Sequence, residues 1–262
     1  MRSIVIGMLC ALIGVAAARA DVIEHLPTTD KVIALTFDAC EAGQPVSFDH
    51  GVLDYLLERK IPFTVFATGR FVETNRADIE ALSKLDFVEI ENHSWSHPNT
   101  MNHFTAEAVL KQVERAQVTI AEVTGRPPQF FRFPAGNYNH AGLQALEDRG
   151  LKVIHWRWAT GDPDPREGAN ALFHRVTTKV QPGDIVIFHI NGRGVHTAEA
   201  LPRIVEQLEA GGYRFVLVSD YIGTPKPHAP APEPQATVVS LQDMVAKWVS
   251  RAPMAALTSG VN

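Results

Sequence analysis

Short apolar runs alternate with helical patterns along most of this chain, and this alternation limits the fold more than any other feature. The runs are rich in Val, Ile and Phe with little polar alternation, as expected of parallel strands buried on both faces. The candidate strands are Val32–Phe37, Phe63–Ala67, Phe87–Ile90, Gln129–Phe133, Lys152–Trp158, Asp184–Phe188 and Arg214–Val218. The candidate helices between them are Val52–Lys60, Arg76–Leu85, Thr105–Thr124, His140–Arg149, Gly168–Lys179 and Thr197–Ala210. Seven strands with six intervening helices predict an α/β domain built as a parallel barrel, complete or incomplete, with a doubly wound open sheet as the alternative.

Local signals support the helix boundaries. Thr105 and Thr197 each begin the sequence Thr-Ala-Glu-Ala, and both hydroxyls are predicted to cap a helix N-terminus. Gly150 and the pair Gly211-Gly212 are expected to end helices before the next strand.

The two ends of the chain differ from its middle. Arg2, the apolar stretch Ile4–Val15 and the Ala18-Arg19-Ala20 sequence predict a secretory signal peptide over residues 1–20, too short to cross a bilayer. We therefore expect an exported protein, periplasmic or secreted, that does not span a membrane after cleavage. The barrel is predicted over 21–222, a proline-rich linker over 223–236, and a tail with a short helix over 237–262.

Composition excludes some functions. The formal net charge of −5 provides no basic face for nucleic acid. Of the two cysteines, only Cys40 remains after the predicted cleavage, so an internal disulfide is excluded. Protein partners stay unknown.

Polar residues cluster at the ends of the candidate strands. The segment His93-Ser-Trp-Ser-His97 places two imidazoles four residues apart, directly after an apolar run, and imidazole is a common ligand of zinc and neighbouring metals. Further polar residues lie at or just beyond the ends of other strands, namely Asp38, Arg132, Asp162 and His189. Barrel enzymes carry their active sites at the C-terminal ends of strands, so this pattern predicts metal-assisted hydrolysis there.

These strand-end residues resemble the motifs of the polysaccharide deacetylase family, also called carbohydrate esterase family 4 or the NodB-homology domain. The matching segments are Thr36-Phe37-Asp38, His93-Ser94-Trp95-Ser96-His97-Pro98, Arg132-Phe133-Pro134-Ala135-Gly136, Trp158-Ala159-Thr160-Gly161-Asp162 and Ile187-Phe188-His189. Together they extend over roughly residues 31–220.

The resemblance implies a distorted (β/α)7 barrel that removes acetyl groups, usually N-acetyl groups, from an acetylated glycan. Asp38 is then the general base, His189 the general acid, and His93 and His97 ligands of a divalent metal. Zinc is the expected ion, with cobalt, nickel and manganese as alternatives. The backbone N–H of Ala135 is expected to bind the oxyanion.

The chain departs from the family pattern at the metal. The family's third metal ligand is an aspartate, and this chain has Ala39 at that position. Asp38 itself and Cys40 are the alternatives for the missing ligand, together with water or Glu41. Asp162 is expected to support the site as the partner of either Arg132 or His189.

Contacts to substrate are harder to predict. Trp95, Trp156 and Trp158 could each stack on a sugar, but strand tryptophans are usually core residues, and we expect only Trp95 to meet substrate. His196, in the glycine-rich loop after His189, is the other candidate.

The sequence thus predicts an exported, metal-dependent hydrolase of acetylated polysaccharide or oligosaccharide. Two alternatives remain: a related hydrolase of other non-peptide C–N bonds, and a metal-free glycan-binding pseudoenzyme. The replacement at Ala39 favours the pseudoenzyme, whereas an intact acid and base favour an enzyme.

Overall fold

The computed structural model describes residues 21–41 and 47–223. The predicted signal peptide, the linker beyond residue 223 and the C-terminal tail lie outside the described residues. Within the described part, no helix is long and apolar enough to cross a membrane.

Eight strands form one sheet in which every strand pairing is parallel. They are β1 (Val22–Ile23), β2 (Val32–Ala39), β3 (Phe63–Ala67), β4 (Val88–Asn92), β5 (Phe130–Phe131), β6 (Lys152–Ile154), β7 (Asp184–His189) and β8 (Arg214–Val216). All the predicted strands are present; β3 has the predicted bounds, and the others have shifted ends. The short β1 was not predicted, because two residues carry no periodicity.

The strand order is that of a distorted barrel. It runs β1-β6-β5-β4-β3-β2-β7, and β8 adds to the first half of β2. The two ends approach each other where His25 forms an antiparallel bridge with Asp184, and Leu26 N–H donates to the Gly183 carbonyl at 2.8 Å. Strands β2 to β6 are neighbours in sequence order, whereas a doubly wound sheet reverses its order partway. The barrel prediction is therefore confirmed and the open-sheet alternative excluded.

Helices cover the outside of the sheet. They are α1 (His50–Glu58), α2 (Gly69–Thr74), α3 (Arg76–Leu82), α4 (Ala106–Thr124), α5 (His140–Glu147), α6 (Ala169–Lys179) and α7 (Thr197–Ala210). The short α2 was not predicted, although Thr68 caps it by accepting from Phe71 N.

The two Thr-Ala-Glu-Ala sequences behave differently. Thr105 caps α4 as predicted, accepting from Ala108 N at 3.2 Å. The prediction for Thr197 was wrong: α7 begins at Thr197, its N-cap is His196, and the Thr197 hydroxyl donates to Asp162 instead.

Alternation along β2 separates the two sides of the sheet. Ile33, Leu35 and Phe37 pack in the core cluster that the helices cover, whereas Val32 and Ala34 pack with residues of other strands inside the barrel. Because successive side chains point to opposite faces, the inner series continues to Asp38 near the C-terminal end of β2.

Candidate functional site

The predicted site residues meet at the C-terminal ends of the strands. Asp38 in β2 and His189 at the end of β7 are directly paired positions on neighbouring strands. His93 follows β4 immediately, and Arg132 follows β5, held by its N–H to the Asn92 carbonyl at 2.9 Å. Asp162 lies in the loop after β6. The barrel therefore brings together side chains that are up to 151 residues apart along the chain.

A cavity of about 290 Å³ opens over these strand ends. Its walls are formed by Asp38, His97, Asn99, Ala135, Trp156, Ala159, Thr160, Gly161, Asp162, Pro163, Ile187, His189 and Arg193. The predicted base, one predicted metal ligand, the predicted acid and the predicted oxyanion residue thus share one cavity.

The Asp38 carboxylate is buried and held by Arg132. Oδ1 accepts from Arg132 Nη1 at 2.8 Å, and Oδ2 lies 3.3 Å from His93 Nε2. Burial alone would raise the pKa of Asp38, but the interactions with His93 and Arg132 outweigh burial and hold the pKa at about 2. Only Arg132 stays charged at neutral pH, because burial lowers the pKa of His93. Asp38 is consequently ionised, with Oδ2 free of the arginine.

The tautomer of His93 follows from its partner. Nδ1 lies 2.9 Å from the Arg132 carbonyl oxygen, which can only accept, so Nδ1 carries the proton. In a neutral ring Nε2 is then a lone-pair acceptor. It is buried, makes no hydrogen bond and faces another acceptor, Asp38 Oδ2, at 3.3 Å. Two acceptors at this separation leave a place for a cation or a proton between them, and two ligands of a tetrahedral zinc are also about 3.3 Å apart.

A strained turn brings the His97 ring next to the His93 ring. Ser94 and His97 both have positive φ values, 72° and 54°, and His97 N–H donates to Ser94 Oγ at 3.1 Å. The two imidazole rings meet edge to face with centroids 4.9 Å apart. Burial and the neighbouring His93 lower the pKa of His97 to about 3, so its ring is neutral and able to ligate a metal.

Neither Cys40 nor Glu41 is positioned to act as a third metal ligand beside His93 and His97. Ala39 is packed in the outer core cluster. The Cys40 thiol accepts from Arg193 Nη1 at 3.4 Å, and burial raises its pKa, which disfavours the thiolate. Glu41 accepts from Thr74 Oγ1 at 2.9 Å. Among the described residues, no group of three or more His, Cys, Asp or Glu side chains has the arrangement of a metal site.

The predicted acid has a dedicated carboxylate partner. His189 Nδ1 lies 2.9 Å from Asp162 Oδ1, and His189 N–H donates to Asp162 Oδ2 at 2.7 Å. Thr197 Oγ1 also donates to Asp162 Oδ2 at 3.0 Å. Asp162 therefore partners His189 rather than Arg132, which resolves the alternative left by the sequence. Since Nδ1 is engaged, Nε2 is the nitrogen available to a substrate.

The predicted oxyanion residue lies on a tight turn. Ala135 has φ 53° within the 3₁₀ segment Pro134–Gly136. The hydrogen bonds within this turn are donated by Gly136 N–H and Asn137 N–H. Gly136 has φ 71°, and a Cβ there would lie 3.3 Å from His155 and Trp156, so glycine allows the turn to approach these rings.

The two expected substrate contacts are placed elsewhere. Trp95 is buried against α2, where Gly69 leaves space for its ring, and Arg115 lies 3.6 Å from the ring centroid. His196 stands at the N-cap position of α7 without a side-chain capping bond, and its ring lies 3.7 Å from Glu199 on the same helix. Neither lines the cavity, so the expectation that they touch a sugar has no support in their positions.

Other residues that line or support the cavity were not predicted. Trp156 is the tryptophan on the cavity wall, with Arg132 5.3 Å from its ring centroid. His155 is buried and stacks on Trp156 with centroids 4.9 Å apart. Arg193 lies in the loop that joins β7 to α7 and ends at His196. The glycines around Arg193 were the one sequence signal for this loop.

The fold and the site define a class: an α/β barrel with a carboxylate and a histidine facing one cavity at its strand ends. Residues 25–154 match the family model described as polysaccharide deacetylase. A peptidoglycan-N-acetylglucosamine deacetylase from Bacillus cereus is 30% identical over 203 residues, which cover 76% of this chain and 91% of the relative. The chain belongs to the polysaccharide deacetylase family and is a hydrolase of that class.

Solved structures agree with this assignment. PdaA of Bacillus subtilis, described as a family 4 carbohydrate esterase, superposes with a TM-score of 0.65 at 26% identity, covering 77% of this chain and 85% of PdaA. A carbohydrate esterase family 4 pseudoenzyme from Bacillus anthracis gives a TM-score of 0.68 at 23% identity, covering 77% and 69%. The second likeness concerns the fold alone.

Proposed function

We propose that this protein is an exported, metal-dependent deacetylase that removes N-acetyl groups from a glycan. The observation that carries the proposal is the placement of Asp38 and His189 on paired positions of neighbouring strands, both facing one cavity. Each has a buried partner that fixes its role, Arg132 for Asp38 and Asp162 for His189. The sequence signal at residues 1–20 supports export, and the named substrates of the relatives support a glycan.

The proposed chemistry uses Asp38 as base and His189 as acid. Asp38 Oδ2, which Arg132 leaves free, takes a proton from the attacking water. The backbone N–H of Ala135 on the cavity wall stabilises the oxyanion. His189 then protonates the leaving amine through Nε2, and Asp162 stabilises the imidazolium that carries this proton.

A metal fits this site through two ligands. The unpaired Nε2 of His93 and the neutral ring of His97 would hold it, and Asp38 Oδ2 lies 3.3 Å from His93 Nε2. A bound divalent ion would polarise the acetyl carbonyl and lower the pKa of water. Zinc suits imidazole ligands, and cobalt, nickel or manganese could replace it. Because Ala39 supplies no ligand, we expect weaker binding than a complete set of three ligands would give.

A metal-free glycan-binding pseudoenzyme is the second candidate, and the Ala39 methyl together with the absence of a three-ligand group in the described residues favours it. Acetate release and sugar binding separate the two. We expect the purified protein with added Zn²⁺ to release acetate from N-acetylglucosamine oligomers, and less from acetylated xylan. Sugar binding without acetate release under any added divalent metal would establish the pseudoenzyme.

Metal binding is measured separately by titrating Zn²⁺ calorimetrically into the metal-free protein. We expect His97→Ala to weaken zinc binding about tenfold or more, and His103→Ala, on an exposed 3₁₀ turn, to leave it unchanged. Equal zinc affinity of wild type and His97→Ala would remove His97 from the metal site.

A further inference from the structure

Arg193 lines the cavity, but it has no role in the proposed transfer of the acetyl group to water. It lies in the loop between β7 and α7, on the same cavity wall as Asp38, His97 and His189. Its guanidinium is partly buried. Over the part of the chain that the structure describes, its one polar side-chain contact is Nη1 to the Cys40 thiol at 3.4 Å. A thiol is a weak acceptor, and a guanidinium has five N–H donors, so most of this donor capacity is unused.

The other charged groups on the cavity wall already have partners. Asp38 is paired with Arg132, and Asp162 is paired with His189. Arg193 forms no ion pair with any carboxylate in residues 21–41 and 47–223. The cavity therefore presents one arginine whose charge no acidic side chain of the described chain compensates.

The loop holds Arg193 in place. On one side, the buried Asn191 donates from Nδ2 to the Cys40 carbonyl. On the other side, Val195 N–H donates to the Asp162 carbonyl at 3.1 Å. A Cβ at Gly194 would lie 2.6 Å from Asp162 Oδ2, so the loop is packed directly against the carboxylate that holds His189. These contacts fix the backbone on both sides of Arg193, so the loop itself loses little freedom when a ligand binds.

We propose that Arg193 selects acidic glycans by binding a carboxylate carried by the acetylated sugar or by the sugar next to it. This inference rests on the proposed function. A planar guanidinium can donate two parallel hydrogen bonds to a carboxylate, which neutral sugar hydroxyls cannot accept in the same way. A cavity of about 290 Å³ is at the small end of ligand sites, so the anion must lie close to the acetyl group.

The test uses two N-acetylated oligosaccharides of equal length, one with a free carboxylate on its sugars and one with that carboxylate as a methyl ester. We expect the wild-type holoenzyme to have kcat/KM about tenfold higher or more for the acid. Arg193→Gln is expected to abolish this preference, mainly through KM for the acid, and Arg193→Lys to retain part of it. Arg203→Gln, on the surface of α7 and bonded to Asn170, is the control and should keep the wild-type ratio.

Two results would overturn the inference: a wild type that treats acid and ester alike, or an Arg193→Gln variant that still prefers the acid. If the wild type releases acetate from neither oligosaccharide, the proposed function fails, and calorimetric binding of the same pair decides the role of Arg193. If the wild type binds the acid more tightly and Arg193→Gln does not, the role of Arg193 is supported. Equal binding of both oligosaccharides by the wild type would refute that role.

Discussion

At the scale of the residue, the two catalytic candidates depend on neighbours that fix their protons. His93 and Arg132 together lower the pKa of Asp38 to about 2, so the carboxylate is ionised at neutral pH. Asp162 binds His189 through Nδ1 and leaves Nε2 for the substrate. The same loop also contains a second aspartate, Asp164, which provides a matched comparison.

Asp162→Asn should reduce kcat about 10²-fold or more, because an amide cannot stabilise the His189 imidazolium or hold its tautomer. Asp164→Asn should leave kcat within twofold, since Asp164 pairs with Arg166 at the surface. Steady-state acetate release by both variants tests this. Similar rates for the two variants would show that Asp162 has no part in proton transfer.

His155 gives a pH prediction that is independent of activity. Burial, with Arg132 nearby, lowers the pKa of His155 to about 4, whereas the unfolded side chain titrates near 6.5. Between these values the unfolded state binds a proton that the folded state does not. The free energy of unfolding therefore keeps its full value with respect to His155 above pH 6.5. It falls by about 3 kcal/mol, because of this residue, as the pH drops towards 4.

His155→Phe keeps the ring stacked on Trp156 and removes the titration. Urea unfolding at pH 7, 5 and 4 should show a smaller loss of stability for the variant than for the wild type. Other buried histidines contribute equally to both proteins, so the difference between them isolates His155. Identical pH dependence of both proteins would mean that folding does not change the pKa of His155.

At the scale of the element, the two Thr-Ala-Glu-Ala segments at the starts of α4 and α7 have different structural roles. Thr105 and Thr197 both precede Ala-Glu-Ala, yet one caps α4 and the other donates to Asp162. Hydroxyl chemistry is the same in both places, and the direction from which the chain enters each helix decides its partner. The loop before α7 places the Thr197 hydroxyl on Asp162, whereas the Thr105 hydroxyl accepts from Ala108 N–H in the first turn of α4.

Thr105→Ala and Thr197→Ala should therefore separate stability from activity. Loss of the α4 cap is expected to cost about 1 kcal/mol of unfolding free energy and to leave kcat unchanged. Thr197→Ala removes a hydrogen bond to a buried carboxylate, at a cost of about 1.5–3 kcal/mol, and should also lower kcat. Urea unfolding and acetate release on the same preparations measure both. A Thr197→Ala variant with wild-type kcat would show that this hydroxyl serves stability alone.

At the scale of the whole molecule, hydrophobic periodicity predicted the barrel and its active edge. The apolar runs marked where strands end, and parallel strands necessarily bring those ends together, which is why Asp38, His93, Arg132 and His189 could be grouped from sequence. Periodicity does not specify how loops fold back. The pairing of Asp162 with His189, the turn at His97 and the position of Arg193 depend on contacts between distant segments.

Tryptophans show the same limit. Trp95 stands inside the clearest motif, yet it packs against Gly69 in the core, whereas Trp156 follows β6 and lines the cavity. Each ring packs against a glycine from another segment of the chain, Gly69 for Trp95 and Gly136 for Trp156, and these contacts between distant segments cannot be predicted from periodicity.

The central claim is that Asp38 is the base of a hydrolytic deacetylase, and the rate of acetate release from N-acetylglucosamine oligomers by Asp38→Asn tests it most directly. Asparagine preserves the shape and the acceptor for Arg132 but cannot take a proton. Circular dichroism of the variant should confirm that it is folded, with zinc supplied in excess. We expect kcat to fall about 10²- to 10⁴-fold. A folded Asp38→Asn protein that releases acetate within twofold of the wild-type rate would contradict the account.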